Sequence, residues 1–148
     1  AGAKIKKGKD WVSISHPKTL KSVSAKTREY PWFVTDLQAP YAVLMTQAKG
    51  QAMIFETVFD GRLNYIEDLN RMGANIVPCD THRILIHGPT PLKGREIESP
   101  DLRAGLAFVI AALIARGQSR IKNIYQIDRG YERIDERLRA IGADIKRI

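Results

Sequence analysis

The sequence has only one cysteine, Cys79, and no long apolar run, and both shortages exclude classes of protein. A single cysteine cannot form an internal disulfide, so we expect a reducing compartment such as the cytoplasm. The longest apolar stretch lies between Arg103 and Arg116, which is too short for a bilayer span of about 20 residues. The chain opens with basic residues and no apolar stretch behind them, so we expect neither a signal peptide nor a membrane partner.

Acidic residues are also scarce relative to basic ones, 16 against 24, which gives a formal net charge of +8. The first 30 residues hold eight Lys or Arg against Asp10 and Glu29. A basic segment of this kind can bind nucleic acid or another anion. No interleaved aromatic pattern and no RNA-binding motif accompanies it, so we expect a solvated strand face and no nucleic-acid partner. A basic non-catalytic binding module is kept as the alternative.

Residues that could ligate a metal do not match a known pattern. Cys79, His82 and His87 fall in a stretch that is typical of a hairpin, which would scatter their side chains. Their spacing matches no common zinc site. A phosphate-binding P-loop and a dinucleotide-binding glycine fingerprint are also missing. We therefore expect no metal site.

What the sequence does contain is an internal repeat. A Gly-Ala-x-Ile string begins at Gly2, Gly73 and Gly142, so its copies are 71 and 69 residues apart. Repeats of this length indicate a duplicated subdomain of several elements. Two further pairs of segments correspond, Thr35–Ala39 with Pro100–Ala104 and Ala48–Gln51 with Ala115–Gln118. We predict repeat units at about 1–30 (partial), 31–99 and 100–148.

Each full unit is predicted to hold one helix that is apolar on nearly every side and one amphipathic helix. The apolar helices begin near Thr35, which forms a capping box with Gln38, and near Ser99, a cap followed by proline. A helix that is apolar all round must be buried all round. Short strands fill the gaps, among them 3–14, 20–25 and 120–127. The expected fold is α/β, built from β-α-β-α-β-β units with sheets outside and helices within.

Charged residues cluster where strands and helices meet. Asp36 and Asp101 each stand in the first turn of an apolar helix, where a carboxylate either complements the helix dipole or serves as a general base. Arg62 and Arg129 each follow a predicted strand, where arginine either binds phosphate or carboxylate or pairs with a neighbouring aspartate on the surface. The residues alone leave both alternatives open for each position.

The strings TDLQA, ETVFDGR, PDLRA and IDRGYERID resemble, in this order and spacing, those of the UDP-N-acetylglucosamine enolpyruvyl transferases. The resemblance implies an inside-out barrel of β-α-β-α-β-β repeats, of which residues 1–148 would form the C-terminal, incomplete part of one domain. It implies transfer of enolpyruvyl from phosphoenolpyruvate to the 3-hydroxyl of UDP-N-acetylglucosamine, the first committed step of peptidoglycan precursor synthesis, with no cofactor. A shikimate-type enolpyruvyl transferase is the other alternative.

The resemblance also implies roles for single residues. Asp36 resembles the aspartate proposed to take the proton of the sugar hydroxyl, and Asp101 resembles a second aspartate near the reacting centre. Val58 resembles a residue that binds the UDP-sugar. Three arginines complete the predicted substrate-binding set: Arg62, Arg103 and Arg129. Of these, Arg129 resembles an arginine on the phosphoenolpyruvate side.

The resemblance places other functional groups outside this chain. The reactive cysteine of the family lies on a mobile loop of the other domain, and its lysine-asparagine pair and several phosphate-binding arginines also lie upstream. We therefore expect the chain alone to be inactive and to self-associate through apolar surface. Four positions depart from the usual residues of the family and leave the shape of the sugar pocket open, Trp32, Val34, Pro40 and Gly61.

Overall fold

A computed structural model describes residues 1–148 and shows a mixed fold of strands and helices. The strands are β1 (Lys4–Lys7), β2 (Val12–Ser15), β3 (Ala25–Lys26), β4 (Gly50–Phe55), β5 (Asn75–Pro78), β6 (Arg83–Gly88), β7 (Glu96–Glu98) and β8 (Arg120–Lys122). The helices are α1 (Gln38–Thr46), α2 (Ile66–Arg71), α3 (Leu102–Ile114), α4 (Tyr125–Asp128) and α5 (Ile134–Ala140), and a 3₁₀ turn covers Thr35–Leu37. No helix combines the length and apolar character needed to cross a membrane.

The strands form three sheets. β1 and β2 make an antiparallel hairpin, the central sheet has the order β3-β4-β6-β5, and β7 pairs with β8. Within these sheets β3 runs parallel to β4, and β7 runs parallel to β8. Parallel neighbours need a long crossover connection, and α1 and α3 lie in these two connections. The chain therefore forms the same β-α-β crossover twice.

The core lies between the central sheet and the two crossover helices, which pack against each other. Val43 and Met45 of α1 and Ala107 and Phe108 of α3 are fully buried. The strands β4 and β6 bury alternate residues, as expected when one face of a sheet covers a core. Burying a large apolar side chain contributes about 1.5–3 kcal/mol, so the packing of α1 on α3 is a main source of stability.

The close packing of α3 depends on Gly105. A Cβ atom at this position would lie 2.4 Å from Oγ of Ser99 and 2.5 Å from Cγ1 of Ile127. Both distances are far below van der Waals contact, so only a residue without a side chain fits here. Gly105 thus lets α3 approach the end of β7 and the short helix α4.

The predicted fold class is confirmed, and the two crossover helices are largely buried. Leu44 of α1 is 44% exposed, however, so α1 is not buried on every side. The helix α3 is largely buried from Ala104 to Ala111, as its apolar sequence predicts. At its C-terminal end Leu113 and Ile114 are 40% and 47% exposed, so the burial does not extend to the last turn. The predicted boundaries of the repeat units stay a prediction.

Two predicted strands in the N-terminal region are wrong in extent. Residues 3–14 form the hairpin β1–β2 and not one strand, because the N–H of Gly8 donates to the carbonyl of Trp11 and turns the chain. The predicted strand at 20–25 is reduced to one isolated bridge at Lys21 before β3 begins.

The predicted strand at 120–127 is also too long. It ends as β8 at Lys122, because Asn123 takes a left-handed backbone conformation with φ of 59°. A left-handed residue breaks the extended backbone that strand pairing needs. The chain then turns into α4, so the segment before Arg129 is a short helix.

Both predicted helix caps are wrong. Thr35 lies in the 3₁₀ turn, and its Oγ1 donates a hydrogen bond to Glu56 instead of accepting one from the helix. The N-cap of α3 is Asp101 and not Ser99, because Asp101 has the extended backbone that lets its carboxylate reach the first free N–H groups.

Candidate functional site

Asp36 lies at the centre of a charged cluster where the two crossovers meet. It belongs to the 3₁₀ turn that precedes α1, and its side chain is 57% exposed. Its Oδ1 accepts hydrogen bonds from Nη1 of Arg62 at 3.4 Å and from Nε of Arg103. Arg62 follows β4, whereas Arg103 stands in the first turn of α3. One carboxylate of the first crossover is therefore bound by two guanidinium groups, one from the turn that follows this crossover and one from the second crossover.

The two guanidinium groups hold the pKa of Asp36 below its ordinary value of 3.8. The hydrogen bond from Arg103 is the largest cause; partial burial acts in the opposite direction, and the charge of Arg103 and the contact with Arg62 add to the lowering. Hydrogen bonds and opposite charge both favour the ionised form of a carboxyl group. Asp36 is therefore a carboxylate at neutral pH, with an exposed oxygen that can accept a proton.

Arg62 is held by its neighbour Phe59. Its guanidinium carbon lies 4.4 Å from the centroid of the Phe59 ring, and its side chain is only 19% exposed. A cation over an aromatic face is attracted by the ring quadrupole, with about 0.5–2 kcal/mol depending on exposure. The direction of Arg62 toward Asp36 is thus set by the turn that carries Phe59.

Asp101 has in the second crossover the sequence position that Asp36 has in the first, but its contacts differ. Its Oδ1 accepts from the backbone N–H groups of Arg103 at 2.8 Å and Ala104 at 2.9 Å, and its Oδ2 accepts from Nδ2 of Asn64 at 3.4 Å. Asp101 therefore fixes the turn from which Arg103 reaches Asp36. Its predicted part in catalysis stays a prediction.

The two remaining predicted residues, Val58 and Arg129, make no hydrogen bond or ion pair with the cluster. Val58 is half-buried on the turn between β4 and Arg62. Arg129 lies at the C-terminal end of α4, where it is exposed, and its Nη1 donates to Oε1 of Gln126 at 3.2 Å. It makes no hydrogen bond or ion pair with the groups around Asp36. The assembled cluster is thus Asp36 with Arg62 and Arg103.

The sequence left open that Arg62 and Arg129 pair with neighbouring aspartates on the surface. These ion pairs do not form. Asp128 pairs with Arg147 at 2.8 and 2.9 Å and not with Arg129. Asp60 lies 3.3 Å from Nε2 of His82 and not beside Arg62. The guanidinium of Arg129 therefore has no carboxylate partner in this structure.

Two residues near the cluster were missed by the sequence analysis. Glu56 is 1% exposed and lies beneath the turns that carry Asp36 and Val58; a glutamate directly after an apolar strand was the available signal. Tyr131 is half-buried, and burial together with the charge of Asp36 raises its pKa, whereas the charge of Arg103 lowers it. The sequence alone predicts no role for Tyr131 at the site.

The residues considered for a metal site do not converge. Cys79 is exposed, and Nδ1 of His87 contacts Nε2 of Gln51 at 3.1 Å on the central sheet. His82 lies on the turn between β5 and β6. The structure contains no group of three or more His, Cys, Asp or Glu side chains suited to hold a metal ion.

Comparison with known proteins finds relatives over almost the whole chain. The family model described as EPSP synthase (3-phosphoshikimate 1-carboxyvinyltransferase) matches residues 1–138. A relative from Koribacter versatilis (strain Ellin345), named UDP-N-acetylglucosamine 1-carboxyvinyltransferase, is 46% identical over 99% of this chain and 34% of its own length. This chain thus spans about a third of the length of the curated relatives that it matches.

Solved structures show the same relationship. The crystal structure of the enolpyruvyl transferase NikO from Streptomyces tendae aligns with a TM-score of 0.87 and 30% identity, over 98% of this chain and 34% of its own. An EPSP synthase from Acinetobacter baumannii aligns with a TM-score of 0.64 and 16% identity, over 99% of this chain and 34% of its own. The second likeness is one of fold alone.

Proposed function

The chain belongs to the EPSP synthase (3-phosphoshikimate 1-carboxyvinyltransferase) family, and from this premise we propose that it works as part of a UDP-N-acetylglucosamine enolpyruvyl transferase. In the proposed reaction the 3-hydroxyl oxygen of the sugar bonds to C2 of phosphoenolpyruvate while C3 takes up a proton. Phosphate then leaves from C2 as C3 loses a proton, and the enolpyruvyl ether remains. The attacking hydroxyl must lose its proton in the first step.

One observation carries this proposal: the exposed carboxylate of Asp36 lies between two guanidinium groups. A carboxylate near the sugar hydroxyl takes its proton as a general base, which contributes typically about 10²–10⁴ in rate. Both reactants carry negative charge, and arginine binds phosphate or carboxylate with paired hydrogen bonds. When Arg62 and Arg103 turn to a bound anion, the pKa of Asp36 rises, and Asp36 becomes a stronger base.

The other predicted residues take supporting roles in this proposal. Val58, four residues before Arg62, lines the position of the UDP-sugar. Arg129, which has no carboxylate partner, binds an anionic group on the phosphoenolpyruvate side. Asp101 contributes by fixing the first turn of α3, and thereby Arg103.

The acceptor is proposed from the degree of similarity. The relative named for UDP-N-acetylglucosamine is 46% identical to this chain, whereas the EPSP synthase structure is 16% identical. We therefore place the chain with the sugar-nucleotide enzymes and not with the shikimate-type enzymes. The proposed product is a precursor of peptidoglycan, and the proposed compartment is the cytoplasm, in keeping with a single free cysteine.

The test is a hybrid enzyme, defined as the Koribacter versatilis relative with its matching third replaced by this chain. Phosphate release is measured with phosphoenolpyruvate and either UDP-N-acetylglucosamine or shikimate 3-phosphate. We expect release with the sugar nucleotide only. The unmodified relative is the positive control, and circular dichroism with thermal melting shows that the hybrid is folded.

Two results would overturn the proposal. One is a folded hybrid that releases no phosphate while the parent enzyme does. The other is a hybrid that prefers shikimate 3-phosphate, which would assign the chain to the shikimate-type enzymes.

A further inference from the structure

Glu56 is a buried carboxylate without a basic partner. Its side chain is 1% exposed, and no lysine, arginine or histidine forms an ion pair with it. A buried charge is costly unless hydrogen bonds replace the water that it loses. Here four donors do so. Oε1 accepts from Oγ1 of Thr27 at 2.9 Å, the N–H of Val58 at 2.8 Å and the N–H of Phe59 at 3.2 Å, and Oε2 accepts from Oγ1 of Thr35 at 2.8 Å.

These four hydrogen bonds join three separate segments of the chain. Thr27 follows β3, Thr35 belongs to the 3₁₀ turn, and Val58 lies on the turn after β4. A second connection supports the first, because Oγ1 of Thr27 also accepts from the N–H of Thr57 at 2.9 Å. One carboxylate thus links the end of the parallel pair β3–β4 to both turns above it.

Each of the two turns carries one member of the charged cluster. Thr35 is bonded to Glu56 and is the residue before Asp36. Phe59 is bonded to Glu56 and carries the ring on which Arg62 lies at 4.4 Å. The relative position of Asp36 and Arg62 is therefore set through contacts that meet on Glu56.

We propose that Glu56 is a positioning residue that sets the geometry of Asp36 relative to Arg62, an inference that rests on the proposed function for its effect on activity. Glu56 is covered by protein and does not touch the reactants itself. A carboxylate suits this position because all four partners are donors, and an ionised carboxylate only accepts. A displacement of about 1 Å at a reacting group can cost about 10²-fold in rate.

The activity test uses Glu56→Ala and Glu56→Gln in the hybrid enzyme. We expect Glu56→Ala to lower kcat about 10²-fold, with little change in the KM for either substrate, because orientation and not binding is lost. Glu56→Gln keeps an oxygen for the two backbone donors and should restore part of kcat. Thr35→Val removes only the contact next to Asp36, and Thr35→Ser keeps its hydroxyl. The control is Glu67→Gln on α2, whose side chain is 77% exposed.

A second test needs no activity and uses the 148-residue chain itself. Hydrogen exchange by NMR should show faster exchange at the amides of Val58 and Phe59 in Glu56→Ala, with unchanged protection in β4 and β6. The carboxyl carbon of Asp36 should titrate at higher pH, because Arg62 no longer lies in place. Glu56→Gln and Thr35→Val serve for the same measurements where Glu56→Ala does not fold.

The outcomes separate the two proposals. A wild-type hybrid without activity contradicts the proposed function, while the titration of Asp36 still decides whether Glu56 positions it. If Glu56→Ala speeds hydrogen exchange at the amides of Val58 and Phe59 but does not change the titration of Asp36, Glu56 is only structural. The positioning role would then be wrong. An active hybrid whose kcat is unchanged in Glu56→Ala would overturn it as well.

Discussion

The two crossovers place an aspartate at the same point of the sequence, and the structure uses the two residues differently. Asp101 has an extended backbone, with φ of −158° and ψ of 175°, and caps α3. Asp36 lies inside a 3₁₀ turn, so its side chain is directed away from the helix and toward two arginines. A shift of the helix start thus decides whether a first-turn carboxylate stabilises a helix or remains available for chemistry.

The residues that follow the last strand of each crossover also correspond in sequence but make different contacts. Glu56 and Asn123 each stand eight residues after the alanines Ala48 and Ala115, which correspond in the repeat. Glu56 accepts four hydrogen bonds and connects two turns, whereas Asn123 donates from Nδ2 to the carbonyl of Ser99 at 2.9 Å. The hydrogen bonds at the end of the first crossover therefore meet on a carboxyl group, and that at the end of the second on a side-chain amide. Arg103 of the second crossover binds the carboxylate of Asp36 in the first.

The largest expected effect is a difference in kcat between variants of Asp36 and Asp101. Asp36→Asn in the hybrid enzyme removes the proposed base and should lower kcat by about 10²–10⁴. Asp101→Asn keeps an oxygen that caps the helix about as well, so its loss should be at most a few-fold. Steady-state phosphate release gives both values. Equal losses would show that Asp101 acts directly in catalysis, and near-normal turnover of Asp36→Asn would show that Asp36 is only an ion-pair residue.

The next effect concerns packing, where the crossovers also differ. Gly105 in α3 corresponds to Pro40 in α1, and α3 alone needs a residue without Cβ. Alanine in an open helical position stabilises by about 0.5–1 kcal/mol relative to glycine. At Gly105 the contacts with Ser99 and Ile127 should reverse this sign and cost about 1–3 kcal/mol. Urea unfolding of the 148-residue chain measures the difference, and a more stable Gly105→Ala would contradict the packing of α3.

A smaller expected effect is a difference in the free energy of unfolding between alanine variants of the two aspartates. Asp101→Ala removes the cap of α3 and should lower the free energy of unfolding by about 0.5–2 kcal/mol. Asp36→Ala removes the ion pairs of a carboxylate that is 57% exposed, and such pairs contribute about 0.2–1 kcal/mol each. Thermal and urea unfolding of the same chain compare the two variants. A less stable Asp36→Ala would show that the contacts of Asp36 with Arg62 and Arg103 stabilise the fold more than the cap of α3 does.

Local patterns in the sequence were sufficient for much of the fold. The all-round apolar sequences of α1 and α3 predict buried helices, and buried helices need sheets around them. The helix caps could not be predicted from side-chain type alone, because Thr35 lies inside the 3₁₀ turn and Asp101, whose backbone is extended, caps α3. The strand before Arg129 was predicted too long because the left-handed Asn123 leaves no hydrophobic signal.

The site was predictable only in part, for a physical reason. Asp36, Arg62 and Arg103 all lie in strings that are typical of the family, but the bond between Asp36 and Arg103 joins residues 67 positions apart and was not predicted. The four hydrogen bonds of Glu56 likewise link three segments that come together only in the folded chain. Spacing along the sequence carries no information about such contacts unless the topology is already known.

The smallest expected effect is a difference between Arg103 and Arg62 in how far each lowers the pKa of Asp36. The pKa of Asp36 is lowered first by the hydrogen bond from Arg103 and less by Arg62. Arg103→Gln should therefore raise this pKa toward 3.8 by more than Arg62→Gln does. NMR titration of the Asp36 carboxyl carbon in the 148-residue chain measures both shifts, and 1 M salt should reduce the lowering in the wild type, because exposed charges are screened.

The sign of the matching stability effect follows from the direction of the shift. The folded chain holds the pKa of Asp36 below that of the unfolded chain, so the ion pairs stabilise the fold at pH above 3.8. This contribution is lost as the pH falls through the lowered pKa of the folded state. Because the carboxylate is 57% exposed, the loss is small, and the comparison of wild type with Arg103→Gln should show the two stability curves converging at acid pH. Curves that diverge there would mean that Arg103 stabilises α3 by another contact, and the pairing of the second crossover with the first would not depend on Asp36.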